Sequence, residues 1–272
     1  LKPMRFRPRA MLRVCHYNVL RFTHPGSKIA AALTDLPGGP PAVLTLNEVG
    51  GFTHKDQSVV REELEGLSSG LGLNHCHFFG HVRGVYGNAI LSRYPMEVLG
   101  EVHVEGGTIF NLPDGSSKRI SRGILCVRIK VPPELGPELG VAVTHLDHIC
   151  DEQRLVQANH IIEQLATVFS DLPHLLVGDL NATGRDDYTE AQWTTLQAKH
   201  KERAWAGPVD SAALTALRAA GYVDAYMQAQ QAAAGQGTPT VGAAGAGAAA
   251  MGWTSAAETM PHPRSARCWS QL

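Results

Sequence analysis

The sequence predicts an α/β fold, and three observations predict it. Short apolar runs over 12–20 (LRVCHYNVL) and 42–49 (AVLTLNEV) each end in a polar residue, Asn18 and Glu48, as a buried strand does when it delivers a side chain at its tip. Between them, Ile29, Ala32, Leu33 and Leu36 carry helical spacing over 28–36 until Pro37, Gly38 and Gly39 stop it, which makes a strand, helix, strand unit. A long amphipathic segment then runs from Asp151 to about Phe169 and leads straight into a third polar-tipped strand, HLLVGDLN at 174–181.

The remaining elements follow in order. A helix is expected over 57–69, then strands at 75–82, 87–92, 97–104, 123–131 and 140–145, with NLPDGSS at 111–117 as turn chemistry. Asp151 is read as the N-cap of the long helix, whose stripe of Leu155, Ala158, Ile162, Leu165 and Phe169 is core. Helical pattern returns at 189–201 and from Asp210 to Ala220, with Gly221 as C-cap before the strand-like YVDAY. From about Gln228 to Ala250 the chain is almost entirely Ala, Gly and Gln and has nothing large to bury. The tail from 251 contains no apolar run of strand length. The division is a basic leader at 1–11, one domain at 12–227, and an Ala/Gly-rich segment with a divergent tail at 228–272.

With 44% hydrophobic and 18% charged residues, 272 residues suffice for a large core. A net charge of −1 excludes a global positive field for polyanions, so contact with nucleic acid would be local. Lys2, Arg5, Arg7, Arg9 and Arg13 form one basic stretch, read as a solvated or processed leader that leaves organelle targeting open. Five cysteines without a CxxC pair argue against a disulfide framework and for a reducing, intracellular compartment. No run approaches the length of a transmembrane helix. The first residue is Leu, which leaves room for an upstream segment.

Four strand ends thus deliver Asn18, Glu48, His145 and the pair Asp179 and Asn181, a set that suits a hard cation and a phosphate. Mg²⁺ or Mn²⁺ takes one or two carboxylates, and phosphoester hydrolysis needs charge stabilisation, a base for water and donors for the developing negative charge. Singly, each residue reads as a turn-former or cap.

The segments around them are more specific. LRVCHYNVL, LTLNEV, GNAILSRYP, VTHLDH and VGDLNAT occur in this order and together resemble the successive signatures of the endonuclease/exonuclease/phosphatase superfamily, the fold of deoxyribonuclease I. The continuation through DDYTEAQWTTLQAKHKERAWAGPVD and LRAAGYVDAY is similar to little-characterised plant and algal members and extends the resemblance to about residue 226. It implies a four-layer sandwich of two mixed sheets flanked by helices. It also implies Glu48 as main metal ligand with Asn18 beside it, Asp179 orienting or deprotonating the nucleophile, Asn181 on a phosphate oxygen, His145 donating to phosphate or leaving group, and Asn88 near the substrate phosphate. His16 and Asn47 stand where a hydroxyl residue and Gln are common. Asp147 and His148 read as loop residues capping the next helix, and Arg119 and Arg122 as solvated charges able to meet a phosphate.

In such proteins a late RIDYI-like segment supplies an aspartate and a final SDH an aspartate and histidine; neither segment occurs in these 272 residues. The expectation is therefore a sandwich without its last strands and an incomplete site. The leading reading is a Mg²⁺-dependent phosphoester hydrolase, a nuclease-like phosphodiesterase by the family's base rates. The alternatives are an impaired member acting as a binding module, or a phosphatase or lipid phosphodiesterase.

Overall fold

The computed structural model describes residues 11–51, 57–202, 209–225, 227–228 and 266–271, so most of the basic leader and of the Ala/Gly-rich segment lies outside the described residues. Twelve strands and five α-helices are described: β1 Val14–Asn18, α1 Gly26–Thr34, β2 Val43–Gly50, α2 Gln57–Leu71, β3 His75–Val82, β4 Tyr86–Ser92, β5 Met96–Val104, β6 Ile109–Asn111, β7 Ser117–Arg119, β8 Arg122–Ile129, β9 Leu139–His145, α3 Asp151–Val168, β10 His174–Asp179, α4 Glu190–Glu202, α5 Ala212–Ala219, β11 Val223–Asp224 and β12 Ala266–Gln271. They form a four-stranded sheet ordered β1-β2-β4-β3, a six-stranded sheet ordered β11-β12-β10-β9-β8-β5, and a small β6-β7 hairpin. Both large sheets mix parallel and antiparallel pairs.

Strand periodicity makes the layers. On β2 Val43 faces inward, where it meets Val14, Ile90, Leu125, Val127, Val141, Val143 and Val177 between the sheets. Leu44 and Leu46 point the other way, onto Ile29, Leu33, Leu64 and Leu67 of α1 and α2. The second sheet's outer face packs Ile124, Ala142 and Leu176 against Ala158, Ile161 and Leu165 of α3 and Leu214 and Leu217 of α5. That is the expected four-layer sandwich.

The C-terminal tail departs from expectation. It supplies β12, which pairs antiparallel with all six residues of β10, from His174↔Gln271 to Asp179↔Ala266, and with β11 on its other side. Strand pairing satisfies backbone groups whatever the side chains, so a segment without an apolar run can still complete the edge beside the fully buried β10. The segment expected only as turn chemistry forms the tip of the β6-β7 hairpin. At the start of α3 the N-cap is Cys150, and Asp151 occupies the first helical turn.

Candidate active site

The C-terminal ends of β1, β2, β9 and β10 and the N-terminal ends of β4 and β8 meet at one end of the sandwich. Glu48 reaches this end through a distortion. On a regular β2 it would share the helix-facing parity of Leu44 and Leu46, but the β2-β4 register shifts between Leu46 and Val49, and Glu48 adopts φ 56°. A left-handed glutamate in a bulge re-aims its side chain, and such strain persists only where its surroundings hold it. Asn181, just past β10, is likewise left-handed at φ 48°. Gly178 is required for a different reason. It approaches β9 so closely that a Cβ would sit 1.9 Å from the Thr144 carbonyl oxygen.

Asn18 joins the two sheets. Its Nδ2 donates to Glu48 Oε1 at 2.9 Å and to Asp179 Oδ2 at 3.3 Å, while its Oδ1 accepts the Leu20 N–H at 3.0 Å. The amide thereby presents its donor to both carboxylates, an orientation that suits Asn18 beside a cation through water rather than directly. Asp179 Oδ1 accepts the Asn181 N–H at 3.0 Å, and the Asp179 N–H donates to Asn47 Oδ1 at 2.7 Å.

A second group of contacts centres on His145. Asn181 Nδ2 donates to the Leu146 carbonyl at 3.1 Å and lies 2.9 Å from His145 Nε2. With one amide hydrogen on Leu146, the other points at Nε2, so both ring nitrogens face donors, and a neutral imidazole can accept at one of them. The Arg122 guanidinium lies 3.5 Å from that Nδ1 and 3.3 Å from His148 Nδ1. Burial, then the Arg122 charge, hold the His145 pKa well below the ordinary histidine value, and the same two causes lower His148. His145 is therefore a neutral imidazole at neutral pH. The Tyr86 hydroxyl bonds both Glu48 and Arg122, and burial with the neighbouring Glu48 charge pushes its pKa up to about 12.

Several expectations change. Arg122, read as a solvated charge, is 5% exposed, and its Nε has no partner among the described residues. Arg119 is exposed. Asn88, expected beside substrate, is fully buried; it accepts from Asn47 Nδ2 at 2.8 Å and donates to the Gly123 carbonyl at 2.9 Å, so its place is inside the sandwich behind Asn47. Asp147 does not cap α3; it gathers the Ile149, Cys150 and Thr108 N–H groups, with burial pushing its pKa up and these bonds outweighing it to hold it low. Neither Asn47 nor Tyr86 stands out in the sequence as a site residue. Asn47 carried one signal, its inward parity with Val43 and Thr45 on β2.

The donor set suits a divalent cation. Glu48 and Asp179 arrive from opposite sheets with one neutral amide between them, and among the described residues neither forms an ion pair with Lys, Arg or His. One or two carboxylates are what Mg²⁺ usually takes from a protein. Among the described residues no cluster of three or more His, Cys, Asp or Glu side chains is placed to hold a metal on its own.

Among solved structures, the chain is similar to an endonuclease/exonuclease/phosphatase from Beutenbergia cavernae DSM 12333, at 22% identity and TM-score 0.47, covering 95% of this chain and 64% of that one. It is also similar to a humanized D. rerio TDP2 (14% identity, TM-score 0.49, 96% of this chain and 82% of that one) and to the human Nocturnin catalytic domain (18% identity, TM-score 0.42, 85% and 69%). The chain thus spans just under two thirds of the Beutenbergia protein's length. No curated protein matches the sequence. The model of the Endonuclease/Exonuclease/phosphatase family matches residues 15–264, nearly the whole chain, and by that match the protein belongs to this family, whose members are phosphoester hydrolases.

Proposed function

We propose that the chain hydrolyses a phosphoester, a nuclease-like phosphodiester in preference, with Mg²⁺ or Mn²⁺ held by Glu48. The observation that carries this reading is the single Asn18 amide whose two hydrogens are shared between Glu48 and Asp179 across the sheets. A bound divalent cation would supply positive charge for the phosphoryl oxygen.

The protein's own groups fill the remaining roles. Asp179 Oδ1 is held by the Asn181 N–H, so Oδ2, with only the long 3.3 Å bond from Asn18, is the oxygen free to orient water and take its proton. Arg122, held between Tyr86, His145 and His148, offers guanidinium donors to the negative charge that develops on phosphorus. Asn181 Nδ2 can exchange His145 for a phosphate oxygen, keeping its bond to Leu146. His145 stays neutral beside Arg122, and an anion bound there would ease its protonation, so that it could donate to the phosphate or leaving group. Asn18 fixes the spacing of the carboxylates.

The test is turnover of a chromogenic phosphodiester and a phosphomonoester, in Mg²⁺ or EDTA, by this chain and its Asp179→Ala variant. Cation-dependent turnover lost in the variant supports the enzyme reading. A folded chain that binds Mg²⁺ without turnover would refute it.

A further inference from the structure

We propose that the β6-β7 hairpin is a grip for single-stranded nucleic acid that holds a nucleotide flanking the scissile phosphodiester. The proposal rests on the phosphodiester reading above and goes beyond it by naming the substrate class and the surface that selects it.

The hairpin leaves the sandwich between the end of β5 and the start of β8, on the side of the site. Its stem is fixed there. Thr108 donates through its N–H and hydroxyl to Asp147, two residues beyond His145, at 2.7 and 3.0 Å, and the Ile120 N–H closes back on the Thr108 carbonyl at 2.9 Å. Arg119, the last residue of β7, is three residues from Arg122. The tip is rigid as well. Leu112 N–H bonds the Ser116 carbonyl at 2.7 Å, Gly115 N–H bonds the Leu112 carbonyl at 2.9 Å, and Asp114 Oδ1 accepts from the Ser116 N–H and hydroxyl at 2.9 and 2.6 Å. A surface so pre-organised loses little freedom on binding.

The exposed residues match the chemistry of a nucleotide strand. All six residues of the two strands are exposed. Ile109 is 56% and Phe110 37% exposed, so the hairpin offers an open aromatic side chain to a base. The register pairs Phe110 with Lys118 and Ile109 with Arg119, and directly paired residues share a face, so each face sets an apolar side chain beside a cation. A base stacks on the first and a phosphate pairs with the second. Asp114 is the only acid between Thr108 and Ile120, against Lys118 and Arg119, so the hairpin is locally positive on a chain of net charge −1. A long duplex would need more positive surface than this, and its bases are not open to stacking. An unpaired strand fits.

The test uses the full 272-residue chain, Lys118→Ala/Arg119→Ala and Phe110→Ala. Binding of a short fluorescent single-stranded oligonucleotide is followed by anisotropy in EDTA over a series of KCl concentrations. The double variant should bind about tenfold more weakly, and its log Kd against log salt slope should fall by about 1.4, roughly 0.7 per lost phosphate contact. Phe110→Ala should weaken binding with the slope unchanged. No oligonucleotide binding by the unsubstituted chain, or variants indistinguishable from it, overturns the proposal. So does hairpin-dependent binding to phosphatidylserine vesicles that the oligonucleotide fails to displace, which would assign the surface to a membrane. The chromogenic diester reports separately on the catalytic reading: hairpin variants should turn it over like the unsubstituted chain. Hairpin-dependent oligonucleotide binding without diester turnover would leave the grip standing and the hydrolase reading refuted.

Discussion

The backbone N–H of Asp179 donates to the side-chain oxygen of Asn47 at 2.7 Å across the gap between the two sheets, and Asn47 passes its own N–H on to Asn88 at 2.8 Å. Asn88 in turn donates to the Gly123 carbonyl of β8. Asn47 thus ties the strand carrying Glu48 to the strand carrying Asp179, and Asn88 behind it ties β4 to β8.

Asn47→Ala should therefore lower both stability and rate. It strands the Asp179 N–H and the Asn88 carbonyl in the interior, at roughly 1 to 3 kcal/mol for each unpaired group. Urea denaturation should show a loss of about 2 to 4 kcal/mol, and diester turnover should fall at least about tenfold as the carboxylates lose their fixed separation. An unchanged midpoint would mean that water or relaxation replaces the latch.

This latch also marks what the sequence made legible. The core faces of β2, β9, β10 and α3 follow from period 2 and period 3.6, and the polar strand tips follow from where those runs end. Glu48 was found by motif, yet alternation alone would have aimed it at the helices; the bulge and positive φ that redirect it leave no signature in composition. Arg122 and Arg119 look alike in sequence, and only the strand start at Arg122 buries one and exposes the other. β12 was invisible because its place depends on the open edge of β10 rather than on its own side chains.

Glu48 and Asn18 should separate in a cation titration. Because Asn18 offers N–H to the carboxylates and keeps its oxygen on Leu20, Asn18→Ala should weaken Mg²⁺ binding modestly, whereas Glu48→Ala should abolish it in calorimetry. In EDTA, Asp179→Asn should stabilise the fold by ~1 kcal/mol, since it removes one of two facing carboxylates, and Mg²⁺ should erase the difference. Equal loss of binding in Asn18→Ala and Glu48→Ala would show that the amide turns over to ligate.

Stability should fall in mild acid because of histidines. Burial, then the Arg122 and His103 charges, lower the His81 pKa to about 3; burial lowers His16 to about 4, with Asp179 opposing. Both folded values lie below the unfolded value near 6.5, so the unfolded chain binds more protons in acid. The stability contribution is complete above about pH 6.5 and is lost as pH falls toward 4, on the order of 3 kcal/mol per residue by pH 4. His81 has both ring nitrogens unpartnered among the described residues, so His81→Leu should change little at pH 7.5 and flatten the acid limb of urea midpoints against pH. An acid limb as steep as before would assign the loss to other groups.

Asp151 gives the test of how the helical layer is fastened to the site. It lies at the start of α3 but acts on α5, accepting the Ser211 hydroxyl at 2.5 Å and the Ala212 N–H at 3.0 Å, which Ser211, as N-cap, does not satisfy through its own side chain. It also pairs with the buried Arg154 at 3.1 Å, and Arg154 Nη1 donates to the Asp147 carbonyl beside the site. Removing one partner of a buried pair leaves the other charge uncompensated, so Asp151→Ala should destabilise the fold by about 3 to 5 kcal/mol. Asp151→Asn retains one acceptor for the α5 N-terminus and should fall between. Asp186, which is exposed, gives the control, and its alanine variant should unfold within about 0.5 kcal/mol of the unsubstituted chain. If Asp151→Ala behaved like that control, α5 would be held by Leu214 and Leu217 alone and the polar junction would contribute nothing measurable.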